Sequence, residues 1–453
     1  MMSLAEAALA IGARSVAGGS EVRFRGVSTD SRTLAAGELF VAIRGERFDG
    51  HQFLAAARER GAAAALVDTR HAGAAPLPLI VVEDTRRALG RLGAHWRGRF
   101  SPVLVAITGS NGKTTTKEML ASILRCHAGE GGALATRGNL NTDIGVPLTL
   151  LGLRAAHRYC AIELGMNHPG EIAWLASLVR PTAALVNNAQ REHMEFMGTV
   201  EAAAAENASV FDSLPADGLA VINADDPHAP LFRRARGARR AVEFGFDEPA
   251  EVTGGYALKP LSSEIRVRTP AGEAQASLAI PGLHNVRNAL AAAACAFAIG
   301  IPPAAIAAGL AAFRPYAGRM QLRRLASGAT LIDDSYNANP DSVRAAIDVL
   351  AACEAPAVLV LGDMGEVGPR GPEFHREVGA YARARGIAAL LALGQGTREA
   401  VAAFGPGGRH FASAEELAAA AASAGGTLLV KGSRFMRMER VVAALTGEAE
   451  EAH

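Results

Sequence analysis

Residues 103–124 read VLVAITGSNGKTTTKEMLASIL, and this stretch decides the fold. Val103 to Thr108 form an apolar run rich in β-branched residues, as a buried strand does. The end of the stretch, KEMLASIL, has the spacing of an amphipathic helix. Between them lies Gly109-Ser110-Asn111-Gly112-Lys113-Thr114-Thr115. Strand, Gly-rich turn and helix in that order are the context a phosphate-binding loop requires. Gly109 and Gly112 let backbone N–H groups close around phosphate oxygens, and the helix N-terminus adds its positive dipole end. Lys113 then supplies charge at the β and γ phosphates of ATP, and Thr114 a hydroxyl for Mg²⁺. Ile107 stands where the usual pattern has a first Gly, so a strict pattern search misses the loop. A turn with a merely solvated lysine is the competing reading; Gly-Lys-Thr-Thr at a strand-to-helix junction argues against it.

Working outward, apolar strands at Tyr159 to Leu164, Ala183 to Asn187 and Leu219 to Asn223 alternate with helical patterns, which predicts a mostly parallel sheet covered on both faces. The preceding residues place strands at Glu38 to Ile43, Ala63 to Val67 and Leu79 to Val82, with helices at Gly50 to Arg60 and Thr85 to Arg97. The following residues repeat the grammar, with strands at Ala329 to Asp333, Ala357 to Leu361, Ala388 to Leu393 and Thr427 to Val430 and a helix at Glu373 to Arg385. Junctions at Arg99-Phe100-Ser101-Pro102 and Arg314-Pro315 divide the chain into three α/β domains: 1–99, an N-terminal substrate domain; 100–314, a central P-loop ATPase domain; and 315–453, a Rossmann-like domain. Three domains also suit 453 residues at about 150 per domain.

Composition narrows the classes. Hydrophobic residues at 49% and charged residues at 20% exclude a disordered chain. Lys plus Arg (46) balance Asp plus Glu (45), so nucleic acid is a poor first partner. Cys126, Cys160, Cys295 and Cys353 lack metal-knuckle spacing and read as buried reduced thiols in a cytoplasmic protein. Met1 to Gly19 has no basic n-region of a signal peptide. Asn288 to Phe313 is uncharged for 26 residues, but 13 are Ala and Pro302-Pro303 break it, so two buried helices are expected rather than a membrane span.

Metal ligands are expected where strands end. Glu163 ends the strand Tyr159 to Leu164, and His193 follows Ala183 to Asn187 after a short loop. Asp334 and Asp363 also end strands, where an Asp can simply cap the next helix.

These residues carry a family resemblance. TGSNGKTTT, with Gly138-Asn139-Leu140-Asn141 and Asp143 to Pro147 after it, resembles the Mur ligases of peptidoglycan synthesis. Ser28 to Arg32 and Gly45 to His51 (GERFDGH) resemble the family's uridine-nucleotide domain. Glu163-Leu164-Gly165 with His168 to Ile172 resembles the central domain, and Asp333 to Ser342 (DDSYNANPDS) with Gly362 to Glu366 (GDMGE) the C-terminal one. The resemblance covers essentially the whole chain. It implies an ADP-forming ligase that phosphorylates the carboxylate of UDP-N-acetylmuramoyl-tripeptide with ATP and lets the amine of D-alanyl-D-alanine attack the acyl phosphate.

By motif the resemblance implies Thr114, Glu163 and His193 as the Mg²⁺ shell, and Lys113, Glu163 and His193 as the catalytic set. Gly109 to Thr115, Asn285, Asn288, Arg319 and Asp334 are implied around ATP. Ser31 and Arg32 fall to the uridine nucleotide, and Asn139 and Asn141 to the nucleotide and tripeptide. Tyr336, Asn337 and Asn339, with Lys431 to Arg434 less directly, fall to the dipeptide. Because Arg319 and Asp334 lie beyond the second junction, they reach ATP only if the C-terminal domain closes onto the central one. A monomer without membrane insertion or nucleic acid is the implied assembly.

One departure stands out. Many Mur ligases carry a carbamylated lysine about a dozen residues after this His, where Asn207 stands here, with Glu206 as a substitute charge. Activity independent of bicarbonate is therefore expected. Alternatives are a sibling Mur ligase, a folylpolyglutamate-synthase-like ligase, a P-loop kinase or hydrolase, and a nucleotide-binding scaffold.

Overall fold

The computed structural model describes residues 1–45, 48–73 and 76–448. Within the GERFDGH run, Glu46 and Arg47 lie outside the described residues. The central sheet has six parallel strands in the order Arg240–Phe244, Leu219–Asn223, Ala183–Val186, Val103–Thr108, Tyr159–Glu163, Ala133–Ala135. Val103–Thr108 therefore sits between later strands on both sides, the point where strand order reverses and a crevice opens beyond the carboxyl ends. The helix Lys113–Ala128 leaves from this crevice.

The N-terminal sheet has five strands, parallel except for Ser15–Ala17. The predicted helix Gly50 to Arg60 is instead a 3-10 turn, Gly50–Phe53, and a short helix, Leu54–Glu59, because Asp49 tightens the start by accepting the His51 N–H. The helix Thr85–Arg97 forms as expected, capped by Asp84, which accepts the N–H groups of Arg86 and Arg87. It ties this sheet to the central one. A Cβ on Gly93 would lie 2.9 Å from Pro147 Cα, Trp96 Nε1 donates to Leu153 O, and buried Arg97 donates to Val179 O and Arg180 O.

The C-terminal sheet has six strands, Gln321–Arg324 antiparallel and the rest parallel, in the order Gln321–Arg324, Thr330–Asp334, Thr427–Lys431, Ala357–Gly362, Ala389–Leu393, Gly408–Phe411. Between the central and C-terminal sheets lies an antiparallel meander, Thr253–Lys259, Ser262–Thr269 and Gly272–Leu278, which the sequence reading did not anticipate. It covers the helices Leu283–Ala298 and Pro303–Ala312, the two pieces into which Pro302-Pro303 break the uncharged stretch. The first is mostly buried, whereas the second, expected buried, packs only its Ile306, Gly309 and Leu310 face inward and leaves its alanines half-buried or exposed. Among the described residues no helix is long and apolar enough to cross a membrane.

Alternation along Val103–Thr108 divides the interior. Leu104 and Ala106 join a core shared with the N-terminal residues Leu39, Leu66 and Leu89. Val105 and Ile107 face a second core that continues to Ile332, Ile347 and Leu359 of the C-terminal section. The thiols form no disulfide, and Cys160 and Cys295 are buried. Against the expectation of four buried thiols, Cys353 is only half-buried and Cys126 is exposed, the latter because it lies on the solvent side of the helix Lys113–Ala128.

Candidate active site

The loop after Val103–Thr108 is built by its glycines. Gly109 has φ +129°, and a Cβ there would come within 3.0 Å of the N atoms of Asn187 and Asn188. Gly112 has φ +79°, and its Cβ would overlap Asn288 Oδ1 at 2.1 Å. No side chain caps the helix that starts at Lys113, so its first N–H groups face the crevice. Thr108, Ser110 and Thr115 are buried against it, and Ser110 N–H donates to Asn188 O.

Lys113 Nζ folds back over the loop, donating to Gly109 O (2.7 Å), Ser110 O (3.0 Å) and both oxygens of Glu192 (3.1 and 3.0 Å). Thr114 Oγ1 donates to Glu163 Oε1 (3.1 Å), which also accepts from Asn141 Nδ2 (2.8 Å). Glu163 is 1% exposed, and its Oε2 has no hydrogen-bond partner among the described residues. A buried anionic oxygen beside a threonine hydroxyl fits a hard divalent cation such as Mg²⁺. His193 lines the same cavity of about 830 Å³ with Lys113, Thr114 and Glu163. Its φ is +51°, and its Nδ1 lies 2.5 Å from Glu366 Oε2, which holds the Glu366 carboxyl below its ordinary value.

Asn207 does not offer an oxygen to this cavity. It is fully buried, its Oδ1 accepts from Thr108 Oγ1 (2.6 Å) and Gly109 N–H (2.9 Å), and its Nδ2 donates to Ala203 O (2.9 Å). It pins the root of the phosphate loop. Glu206 is likewise committed, accepting the N–H groups of Gly170 and Ile172 at the start of the helix Glu171–Val179. The carboxylate that does face Lys113 is Glu192.

A second cavity of about 370 Å³ adjoins the loop on its other side. Asn285 and Asn288 line it; Asn288 Oδ1 accepts from Asn187 Nδ2 (3.0 Å), and Asn285 Nδ2 donates to Pro281 O (2.8 Å). Beside them burial pushes the His284 imidazole down to about 4.

The C-terminal section closes both cavities. Arg319 donates to Thr114 Oγ1 at 3.3 Å and stacks over Tyr336 at 4.1 Å; it is not a surface arginine. It lines both cavities, and its buried Nε has no partner among the described residues. Asp334 caps no helix. Its Oδ1 accepts Met320 N–H (3.2 Å), and its Oδ2 accepts Lys431 Nζ (2.6 Å) from the register partner on the next strand. Lys431 also donates to Asn337 O, and burial lowers its ammonium below the ordinary value. Asp363 does not cap the next helix, Gly371–Ala384, which begins too far along the chain; its Oδ1 instead accepts the N–H of Thr397, first residue of the later helix Thr397–Phe404, across the sheet edge.

Burial raises the Tyr336 phenol, and Asn139 hydrogen-bonds it. Asn337 accepts the Ala338 N–H. Asn339 both caps the helix Pro340–Ala351 and donates to Asn111 Oδ1 at 2.8 Å, so its side chain is a joint between the domains. Ser31 and Arg32 lie apart from both cavities, in the turn after Gly26–Ser28, with exposed Arg32 paired to Asp30 at 2.7 Å. Sequence reasoning did not single out Glu192, nor Asn188 and Gln190, which grip Asn111. Their only signal is the polar run NNAQREH directly after an apolar strand.

Three family profiles cover the chain: Mur ligase family, catalytic domain (residues 23–97), Mur ligase middle domain (107–296), and Mur ligase, glutamate ligase domain (318–434). The UDP-N-acetylmuramoyl-tripeptide–D-alanyl-D-alanine ligase of Escherichia coli (strain K12) is 42% identical over 94% of this chain and 95% of its own length. MurF from Acinetobacter baumannii superimposes with a TM-score of 0.89 at 33% identity, covering 98% of this chain and 99% of that one. MurF from Thermotoga maritima, solved in complex with ADP, gives 0.82 at 27% identity, covering 94% and 97%. A strand-reversal crevice with a lysine-bearing phosphate loop, closed by a third α/β unit, together with these relatives, leads to one conclusion: the chain belongs to the Mur ligase family.

Proposed function

We propose that this protein is an ATP-dependent, ADP-forming ligase that joins D-alanyl-D-alanine to UDP-N-acetylmuramoyl-tripeptide through an acyl phosphate, yielding the pentapeptide precursor of peptidoglycan in the cytoplasm. The observation that carries the proposal is the meeting of Lys113, Thr114 and Glu163 from the central section with Arg319 and Tyr336 from the C-terminal one around a single cavity.

The chemistry explains why these residue types are needed. A carboxylate is a poor acyl donor, since its leaving group would be oxide, whereas phosphorylation makes the leaving group phosphate. Two anions, carboxylate and γ-phosphate, must therefore approach each other, and Lys113, the helix N-terminus and Arg319 concentrate positive charge where they meet. Thr114, Glu163 and His193 would hold Mg²⁺, which supplies further charge neutralisation. Gly109 to Thr115 would wrap the phosphates, while Asn285, Asn288 and Asp334 surround the base and ribose side. Asn141 bridges Glu163 to the tripeptide approach, with Asn139 beside Tyr336; Tyr336, Asn337 and Asn339 face the dipeptide, and Ser31 and Arg32 the uridine nucleotide. The working domain limits are 1–99, 100–314 and 315–453, with a monomer as the functional unit.

The test is ADP release by purified protein with ATP, Mg²⁺ and UDP-N-acetylmuramoyl-tripeptide, with and without D-alanyl-D-alanine. Release that needs both substrates and yields the pentapeptide is expected. Release stimulated by a different amino acid would move the protein to a sibling activity, and release indifferent to both would make it a plain nucleotide hydrolase.

A further inference from the structure

We infer that Arg191 is a positioning residue through which the C-terminal domain sets Glu192 and His193 against the phosphate loop. The inference rests on the ligase reading for its activity readout. Arg191 belongs to the loop after Ala183–Val186, yet its partners lie 150 and 186 residues further on. Its Nε and one terminal nitrogen donate to Asp341 (3.1 and 2.6 Å), and its two terminal nitrogens donate to Glu377 (2.7 and 3.0 Å). Two forked carboxylate pairs on one planar guanidinium leave little rotational freedom. The Arg191 backbone N–H also donates to Asp341 Oδ2 (2.9 Å), so main chain and side chain are fixed by the same C-terminal helix, Pro340–Ala351.

The next two residues inherit this constraint. Glu192 faces Lys113, and His193 sits at positive φ opposite Glu366, itself at φ +57°. Two left-handed non-glycine residues in contact are costly and persist only where the surroundings over-determine them. The Glu195 N–H donates to Glu366 O (3.1 Å), adding a second tie from the same side. Meanwhile Gln190, immediately before Arg191, grips Asn111 Nδ2 at 2.6 Å and Ser110 Oγ at 3.2 Å. One short loop is thus held to the phosphate loop at one edge and to the C-terminal domain at the other.

The ion-pair group is balanced only when the domains are together. Asp341, Glu377 and Arg344 are all C-terminal, Arg344 donates to Glu377 (3.0 Å), and Arg191 supplies the missing positive charge. Closure of the C-terminal domain and correct placement of Glu192 and His193 are therefore one event.

The test compares Arg191→Ala, Asp341→Ala and the double variant as full-length proteins, with Glu377→Gln as a milder, shape-preserving variant. Displacing reacting groups by about 1 Å costs about 10²-fold in rate, so kcat should fall by that order in each single variant, with KM for the tripeptide little changed. The double variant should lose clearly less than the product of the two single losses, since both substitutions remove the Arg191–Asp341 side-chain pair. The Mg²⁺ concentration for half-maximal rate should rise, which a merely structural role would not cause. Independently of substrate, amide exchange over residues 190–197 should accelerate in Arg191→Ala and, more weakly, in Glu377→Gln. Losses that multiply in the double variant, or unchanged exchange over 190–197, would overturn the inference. A wild-type protein without ligase activity would instead remove the functional reading, leaving exchange to decide the role of Arg191.

Discussion

Replacing Asn207 by alanine tests how the phosphate loop is held. The amide oxygen takes two hydrogen bonds at once, from the Thr108 hydroxyl (2.6 Å) and the Gly109 N–H (2.9 Å), in a fully buried position. After truncation the Thr108 hydroxyl can turn elsewhere, and Ala203 O keeps its bond within the helix Val200–Ala208. The Gly109 N–H has no alternative, and an unsatisfied buried donor costs about 1–3 kcal/mol. The void left by the amide adds about 1 kcal/mol. A loss of about 3 kcal/mol lowers the melting temperature of a unit of about 200 residues by about 6–12 °C. Calorimetry with and without ATP measures this directly, and nucleotide affinity should fall in parallel because Gly109 shapes the loop. A midpoint unchanged within about 2 °C, with unaltered ATP affinity, would refute the claim that Asn207 anchors the loop. The same contacts bear on bicarbonate: with every polar atom of Asn207 engaged, activity in bicarbonate-free buffer should equal that with bicarbonate, and a loss restored by bicarbonate would contradict it.

Other outcomes follow from the site. Lys113→Ala should lower kcat by about 10²–10³-fold without changing the fold, as judged by turnover and circular dichroism. Glu163→Gln keeps the contact with Thr114 but removes the buried charge, so the Mg²⁺ requirement should rise several-fold in a metal titration, more than KM for ATP changes. The His193 hydrogen bond depresses the Glu366 carboxyl, so its stabilisation is in place above the ordinary value of 4.5 and is lost as pH falls below that through the lowered folded value. Melting between about pH 3 and 6 should show an acid-side loss in the wild type that Glu366→Gln lacks. Small-angle scattering should show a more compact particle with ATP and tripeptide together than without them, and identical profiles would argue against ligand-driven closure.

The frame of the molecule was legible because its signals are local. Val103–Thr108 and Thr85–Arg97 end where the sequence says they should, since a Gly turn follows one and an Asp cap begins the other. Pro302-Pro303 likewise separated two helices that composition alone would have merged, the first mostly buried and the second buried on one face only. The meander escaped because Thr253–Lys259 (TGGYALK) is an exposed strand with little β-branched character. Its neighbour Ser262–Thr269 does alternate, with Ile265 and Val267 inward, a signal present in the sequence that the reading missed with the rest of the meander. At the site, Lys113, Thr114 and Glu163 were found from a motif and a strand end. Glu192 and Arg191 were not, since nothing near residue 191 announces Asp341 or Glu377. Asn207 was located by its departure from the family pattern, but only its partners reveal that it is a bracket for the loop rather than a ligand.

The strand Val103–Thr108 is a party wall: its alternate side chains belong to two different cores, and its end carries the nucleotide loop. A one-residue insertion within it would exchange the two sets of side chains and shift Gly109 at the same time. Exchanging a single domain with a relative is therefore a two-sided operation: the incoming unit must match Leu104 and Ala106, or Val105 and Ile107, as a tenant matches an existing wall. Chimeras that respect those faces should fold, and those cut only at the apparent junctions should not.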